Sequence, residues 1–376
     1  MAEYRFALPA EEADILDFIN FVFSKAYRPH DFKRFLPKVY THPGFSALHA
    51  VAVENGHVRG TAGLLPLTLR TGSETLRVGY IGSVSAHPYD RGAGHMRGCM
   101  ELLLRRAREE GLDVLALGGQ RQRYGYYGFA PGGCQMQFTV TRDNARHALA
   151  QTPGGLTLRE IVPEDETLLS KIHALHKRQI AGCIRARETL FDTLCSWQAQ
   201  PYALLDAETQ EFRGALCAKE DYLHELLLEN EADLPRAFKA FLQTHEKAAI
   251  SVADWERERI AFLRGVAEGY QWSDAFKMQV LRWRETLEKL LQFKHSYRPL
   301  VPGQRVIEIE GEGRFQITVT DAGAAVSPTR APAQRTLPPQ AAVQLFFSPG
   351  ALALEDDPLL RAWLPLPLSL GSLDKF

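Results

Sequence analysis

The chain has few cysteines, no long apolar run and almost no net charge, and each shortage removes a class of function. Its five cysteines (Cys99, Cys134, Cys183, Cys195 and Cys217) stand far apart with no Cys-x-x-Cys pair. Neither a disulfide framework nor a metal site is indicated, and reduced, buried thiols in a cytoplasmic protein are expected. No apolar stretch approaches the roughly 20 residues needed to cross a bilayer. The opening stretch, MAEYRFALPAEEAD, is acidic and lacks an apolar leader core, so no membrane association is expected. Lys plus Arg number 44 against 45 Asp plus Glu, a formal charge of −1. That balance lacks the basic excess with which nucleic-acid binders neutralise phosphates.

What is present reads as two or three domains of mixed α/β (α+β) class, because 376 residues exceed one ordinary core. In residues 1–150, Ile15, Phe18, Ile19 and Val22 share one helical face over 11–24. Two apolar runs, 47–53 and 59–69, flank Asn55-Gly56, a hairpin signal. Residues 75–87 predict a strand, 96–110 a helix closed by Gly111, and 114–117 and 135–140 two more strands. Thr152-Pro153-Gly154-Gly155 marks a boundary. Residues 151–293 repeat the same coarse order: helix 166–179, strands 202–205, 212–217 and 222–228, helix 234–248, strand 249–253, helix 257–266 and strand 276–283. Residues 294–376 begin with a hairpin around Gly311-Glu312-Gly313. A Pro- and Ala-rich loop over 321–339 and a helix over 340–347 follow.

The stretch that carries chemistry is YIGSVSAHPYDRGAGHMRGCMELLLRRAREEG, residues 80–111. A strand ending Val84-Ser85-Ala86 runs through His87-Pro88-Tyr89-Asp90 into Arg91-Gly92-Ala93-Gly94, and an amphipathic helix follows at once. Such a turn leaves backbone N–H groups unpaired beside the positive end of the helix dipole, which suits a pyrophosphate. Gly92 and Gly94 let the backbone approach oxygens that a Cβ would block, and Arg91 adds charge-assisted hydrogen bonds. A dinucleotide fingerprint fails, because Arg97 stands where a third glycine would be needed. A P-loop fails too, since no Gly-Lys-Ser/Thr follows.

The arrangement resembles the acyl-CoA motif of the GNAT superfamily, R/Q-x-x-G-x-G/A. Arg91, Gly92, Ala93, Gly94, His95 and Met96 fill it, with Met96 departing from the usual small residue. Residues 118–133, GGQRQRYGYYGFAPGG, resemble the tyrosine segment that follows the fifth strand in that superfamily. Together with a degenerate second half and a sterol-carrier-like end, the chain resembles the enhanced intracellular survival (Eis) group. The resemblance implies a GNAT fold with a mixed, splayed central sheet, a second GNAT-like domain over 151–293 and a sterol-carrier-like domain over 294–376.

It also implies direct transfer of acetyl from acetyl-CoA to a small-molecule amine, aminoglycosides among them, in a chain that assembles as a homo-oligomer. Val84, Ser85 and Ala86 then meet the pantetheine, Arg91 through Arg97 the pyrophosphate, and Gly119 and Gln120 further parts of the cofactor. Tyr124 matches the tyrosine that protonates the leaving thiolate. Phe376 matches the terminal residue whose carboxylate takes the amine proton. A docked tail with no chemical role is the alternative for Phe376, and His87 and His95 are rival bases that the resemblance places in the phosphate turn. Tyr126 and Tyr127 read as core or turn residues. The acidic run Glu229 to Asp233 replaces the glycines in the second half, reads as helix capping and implies a single cofactor site. Two other functions stay open: acetylation of protein amines, and a carrier that binds CoA or an apolar ligand without turnover. A polycationic acceptor calls for carboxylates at the mouth, with Asp31 and Asp374 as candidates.

Overall fold

The computed structural model describes residues 2–376. In chain order the first part runs β1 (Glu3–Phe6), α1 (Glu12–Ala26), α2 (Phe32–Phe35), α3 (Pro37–Tyr40), β2 (His49–Glu54), β3 (His57–Thr71) and β4 (Glu74–Ala86). Then come α4 (His95–Glu109), β5 (Val114–Leu117), α5 (Arg121–Gly125), β6 (Ala130–Gly132), β7 (Gln135–Thr141) and α6 (Arg142–Ala148). Asn55 and Gly56 both take positive φ, 52° and 76°, which makes the tight β2–β3 turn expected of that pair. Helix α4 buries Cys99, Met100, Leu103 and Ala107 against Leu64, Ile81, Leu115 and Leu117. On the opposite face Ile15, Phe18 and Ile19 of α1 pack with Val78 and Tyr80. Each fully buried aliphatic contributes about 1.5–3 kcal/mol, so the sheet between these helices is a rigid base.

The second part runs β8 (Leu156–Glu160), α7 (Glu166–Arg178), β9 (Ala181–Cys183), α8 (Leu190–Leu194), β10 (Gln200–Asp206), β11 (Phe212–Lys219) and β12 (Tyr222–Leu228). It continues with α9 (Leu234–Phe241), β13 (Lys247–Val252), α10 (Arg257–Val266), β14 (Gly269–Ser273) and β15 (Phe276–Val280). The third holds α11 (Trp283–Tyr297), β16 (Gly303–Ile309), β17 (Gly313–Thr320), β18 (Gly323–Pro328), β19 (Arg335–Leu337), α12 (Pro339–Phe347) and α13 (Pro358–Trp363).

Among the described residues these strands make three sheets, ordered β1-β2-β3-β4-β5-β15-β6 with β9 on β3, then β14-β7-β13-β12-β11-β10-β8, then β18-β17-β16-β19. The first two sheets exchange strands. β7 lies between β13 and β14, and β15 lies between β5 and β6. Sheet membership therefore crosses the chain boundary expected at 150, and α11 packs its buried face into the third part ahead of the boundary expected at 293.

Two expected elements differ. The helix over 234–248 stops at Phe241, because Thr244 and His245 direct their side chains to the Phe241 carbonyl at 3.4 and 3.0 Å and compete with the next turn. The loop over 321–339 contains β18 and β19. Ala324 and Val326 of β18 are buried while its Ala325 and Ser327 face out, an alternation that small side chains conceal in the sequence.

Candidate active site

Strands β4 and β5 are parallel and pair only over Val78–Ile81 and Val114–Leu117. Beyond Ile81, β4 continues to Ala86 with that edge unpaired, so the sheet opens into a V. Val84, Ser85 and Ala86 lie on this free edge. The turn Arg91 to Gly94 is exposed, with Gly92 and Gly94 at φ of 91° and 87° and open space where a Cβ would stand. Gly94 is the N-cap of α4, so the first N–H groups of a 15-residue helix face the open V. Arg97 and Arg91 are exposed and Met96 is half-buried. Around the turn, Asp90 Oδ2 lies 3.4 Å from Arg59 and 3.5 Å from His87 Nδ1, and buried His95 Nε2 has no hydrogen-bond partner. Free backbone donors and the exposed cations Arg91 and Arg97 at one helix start fit a diphosphate-bearing cosubstrate.

His95 was expected at the surface and is buried at 4% exposure. The cause is close packing: a Cβ on Gly60 would lie 2.8 Å from His95 Cβ, and Tyr4 Oη is 3.4 Å from His95 Nδ1. His87 lies against the Phe18 and Phe21 rings at 6.4 and 5.7 Å and 3.5 Å from Asp90.

Across the V, Gly119 and Gln120 are exposed after β5, and Tyr124 is buried at 6% exposure on α5. A Cβ on Gly119 would collide with the Tyr124 ring, so the glycine is what lets the ring lie there. Burial pushes the Tyr124 phenol above its ordinary pKa, and Arg123 opposes this. The group holds its proton at neutral pH. Tyr126 is 91% exposed and is a turn residue.

Phe376 ends in the same V. Gly63 and Gly82 face each other across β3 and β4. A Cβ on Gly82 would stand 2.6 Å from the Phe376 carboxyl carbon and 2.7 Å from its oxygen, and one on Gly63 would stand 2.5 Å from its ring. The two glycines are the seat for the last residue. Beside it, Ser83 takes φ of 52° where the β3–β4 register shifts. Its hydroxyl bonds Tyr40 Oη at 2.6 Å, Tyr40 Oη donates to His49 Nε2 at 3.1 Å, and His49 Nδ1 donates to the Phe45 carbonyl at 2.9 Å. That direction requires a neutral imidazole, and burial lowers the His49 pKa to about 4.

The tail before Phe376 is clamped by groups far away in sequence. Asp374 accepts two hydrogen bonds from Arg185, at 2.7 and 3.0 Å, and Arg185 donates to Glu225 at 2.8 Å. Burial pushes the Asp374 carboxyl up, but Arg185 outweighs it and holds the group below its ordinary range. Lys38 donates to the carbonyls of Leu373 and of Lys375, the latter at 2.8 Å, and burial lowers its pKa to about 8. The second sheet repeats the splay, since β12 and β13 pair only at Tyr222↔Ala249 and Leu223↔Ile250. Here the opening takes the tail: His224 Nδ1 lies 2.9 Å from Ser372 Oγ, and a cavity of about 140 Å³ remains between Leu226, Val252 and Ser369 to Lys375.

The acidic run beside it serves the helix ends and ion pairs. Asn230 Oδ1 accepts from Ala232 N, Glu231 pairs with Arg259 at 2.7 Å, and Asp233 pairs with Arg236 at 2.7 Å. Asp374 is buried on Arg185 and so does not line a mouth for a cationic acceptor, while the exposed Asp31 caps α2 by accepting from Lys33 N and Arg34 N. Sequence reasoning missed Lys38, Tyr40, His49, Gly63, Gly82 and Arg185, for which no local signal exists.

Among the described residues no cluster of three or more His, Cys, Asp or Glu could hold a metal ion, and no helix is long and apolar enough to cross a membrane. No curated protein matches the sequence. The whole chain shares its fold with a probable N-acyltransferase from Enterococcus faecalis V583, at 15% identity and TM-score 0.71, covering 100% of both chains. It is similar to a GCN5-related N-acetyltransferase from Kribbella flavida, at 14% identity and TM-score 0.69, covering 100% of this chain and 98% of that one. Eis1 from Mycobacterium abscessus is similar at 12% identity and TM-score 0.66 over 100% of both. Residues 3–132, which contain the free β4 edge, the phosphate-type turn and Tyr124, match the profile described as acetyltransferase (GNAT) domain. Over residues 3–132 the chain is therefore similar to a GNAT acetyltransferase domain, and as a whole it shares the fold of these N-acetyltransferases.

Proposed function

We propose that this chain moves acetyl from acetyl-CoA directly to the amine of a small molecule, with Tyr124 as acid and the carboxylate of Phe376 as base. The observation that carries the reading is the seat of Phe376 on Gly63 and Gly82, at the point where β4 leaves β5. Acetyl-CoA supplies the thioester when bound. The free edge at Val84 to Ala86 orients the pantetheine arm, and the turn from Arg91 to Arg97, with Gly119 and Gln120 opposite, holds the phosphates and the rest of the cofactor. The Phe376 carboxylate accepts the proton lost by the acceptor nitrogen as the C–N bond forms. Tyr124 gives its phenolic proton to the sulfur as the C–S bond breaks. The neutral Ser83–Tyr40–His49 chain keeps the seat rigid and uncharged.

We read residues 294–376 as a sterol-carrier-like module that delivers the tail, and 151–293 as a degenerate GNAT domain that clamps it. A cytoplasmic location is read from the five scattered, unpaired cysteines, and a symmetric homo-oligomer from the Eis resemblance; light scattering of the purified chain tests the second. The reaction is tested by thiol release from acetyl-CoA with a panel of amines, comparing the parent chain with Tyr124→Phe and a chain lacking Phe376. Turnover that collapses in both variants is expected. Binding of acetyl-CoA without turnover on any amine would overturn the reading in favour of a carrier.

A further inference from the structure

Two phenols stand where β4 parts from β5, and the reading above uses only Tyr124. The other is Tyr80, in the last paired stretch of β4, opposite Ala116. Its ring belongs to the core on the α1 face, with Phe18, Ala116 and Phe376, and reaches across the end of β5. A Cβ on Gly118 would stand 3.6 Å from the Tyr80 hydroxyl oxygen. Gly118 is the first residue after the last β4–β5 pair, Ile81↔Leu117, so the hydroxyl lies in the fork of the V. Tyr80 and Gly82 are two residues apart on one regular strand and share a face of the sheet. That is the face on which the Phe376 carboxylate sits at Gly82, whereas Tyr124 belongs to the core on the α4 face.

Tyr80 is 3% exposed, yet among the described residues its hydroxyl has no hydrogen-bond partner. The contrast is with Tyr40 on the same face, whose hydroxyl meets both Ser83 and His49. Burial alone acts on the Tyr80 phenol and pushes its pKa up, so the group keeps its proton at neutral pH and serves as a donor. Leaving a buried hydroxyl unmatched costs stability, and such groups call for a role. Here the free donor points into the fork, on the side from which the Phe376 carboxylate would meet the amine. What it lacks is an acceptor oxygen, and the thioester carbonyl of a cosubstrate held along the free β4 edge supplies one. A fixed donor in a dry fork is the arrangement that stabilises charge developing on a carbonyl oxygen.

Resting on the acetyl-transfer reading above, we infer that Tyr80 donates a hydrogen bond to the acetyl carbonyl oxygen of acetyl-CoA and stabilises the charge that gathers there during transfer. As the acceptor nitrogen bonds to the carbonyl carbon, the C=O electron pair moves onto that oxygen, and Tyr80 keeps its proton while donating toward it. The pair then returns, the C–S bond breaks, and Phe376 and Tyr124 handle the two protons as above. The test is Tyr80→Phe, studied by calorimetry, by infrared spectroscopy of acetyl-CoA isotopically labelled at the thioester carbonyl, and by kinetics. The variant loses a hydroxyl that had no partner, so the free protein should melt at or above the parent's temperature. CoA, which lacks the acetyl group, should bind both proteins equally, while acetyl-CoA binds the variant roughly three- to tenfold more weakly. The carbonyl stretch should lie lower on the parent than on the variant, and kcat should fall by roughly 10²–10³-fold. The same carbonyl frequency on both proteins, or an equal loss of CoA and acetyl-CoA affinity, overturns the role of Tyr80 and leaves acetyl transfer standing. So does a variant that melts several degrees lower, which would mean the hydroxyl is partnered inside the protein. Acetyl-CoA bound to the parent with no turnover on any amine overturns the transfer reading itself, and the infrared comparison still decides the hydrogen bond.

Discussion

Replacing Gly82 with Ala puts one methyl group where the account is most exposed. The new Cβ would stand 2.6 Å from the Phe376 carboxyl carbon, whereas ordinary contact begins at 3.4 Å. The difference, 3.4 − 2.6 = 0.8 Å, is the least distance by which the carboxylate must retreat, since β4 is held by β3 on its other edge. A displacement near 1 Å in a reacting group costs on the order of 10²-fold in rate. Overpacking a tight seat costs about 1–3 kcal/mol in stability. The variant should therefore bind acetyl-CoA with the parent's affinity by calorimetry, melt a few degrees lower, and lose roughly 10²-fold in kcat. Gly63→Ala, which meets the ring instead, should behave similarly. A folded Gly82→Ala protein that turns over at the parent's rate would refute the assignment of Phe376.

Other outcomes follow from the same geometry. Tyr124→Phe should lower kcat by roughly 10²–10⁴-fold with KM for acetyl-CoA little changed, read from steady-state kinetics. Arg185→Leu strands the buried Asp374 carboxylate and should cost roughly 3–5 kcal/mol in denaturant unfolding, as does removal of one member of other buried pairs. His49 has a folded pKa of about 4 against 6.5 unfolded. Its contribution is full above pH 6.5 and lost as pH falls toward 4, amounting to about 3 kcal/mol. Stability measured against pH should show that slope, and His49→Gln should flatten it.

The first sheet was legible in the sequence where pattern is local. Asn55-Gly56 sets a turn within its own two residues, and the α4 face repeats at helical spacing. The Arg91–Gly94 turn announced itself because its chemistry lies in consecutive residues. The seat of the base did not. Gly63 and Gly82 are ordinary strand glycines until Phe376, some three hundred residues later, arrives against them. Lys38 and Arg185 carry no local signal because their partners, the tail carbonyls and Asp374, lie so far along the chain. The exchange of β7 and β15 was illegible for a related reason: an apolar strand looks the same whichever sheet receives it. His95 shows the converse error, a polar residue in an exposed turn that the close approach of Gly60 and Tyr4 buries.

The central claim is that the carboxylate of Phe376, and not merely its ring, performs the proton transfer. The most direct measurement joins the tail by semisynthesis with Phe376 as either the free acid or the primary amide, and compares single-turnover acetylation of one good amine. The amide keeps the ring, the seat and the tail clamps and removes only the negative charge. The account predicts that the amide binds acetyl-CoA as the acid does and acetylates at least about 10²-fold more slowly. Equal rates for the two forms would contradict it.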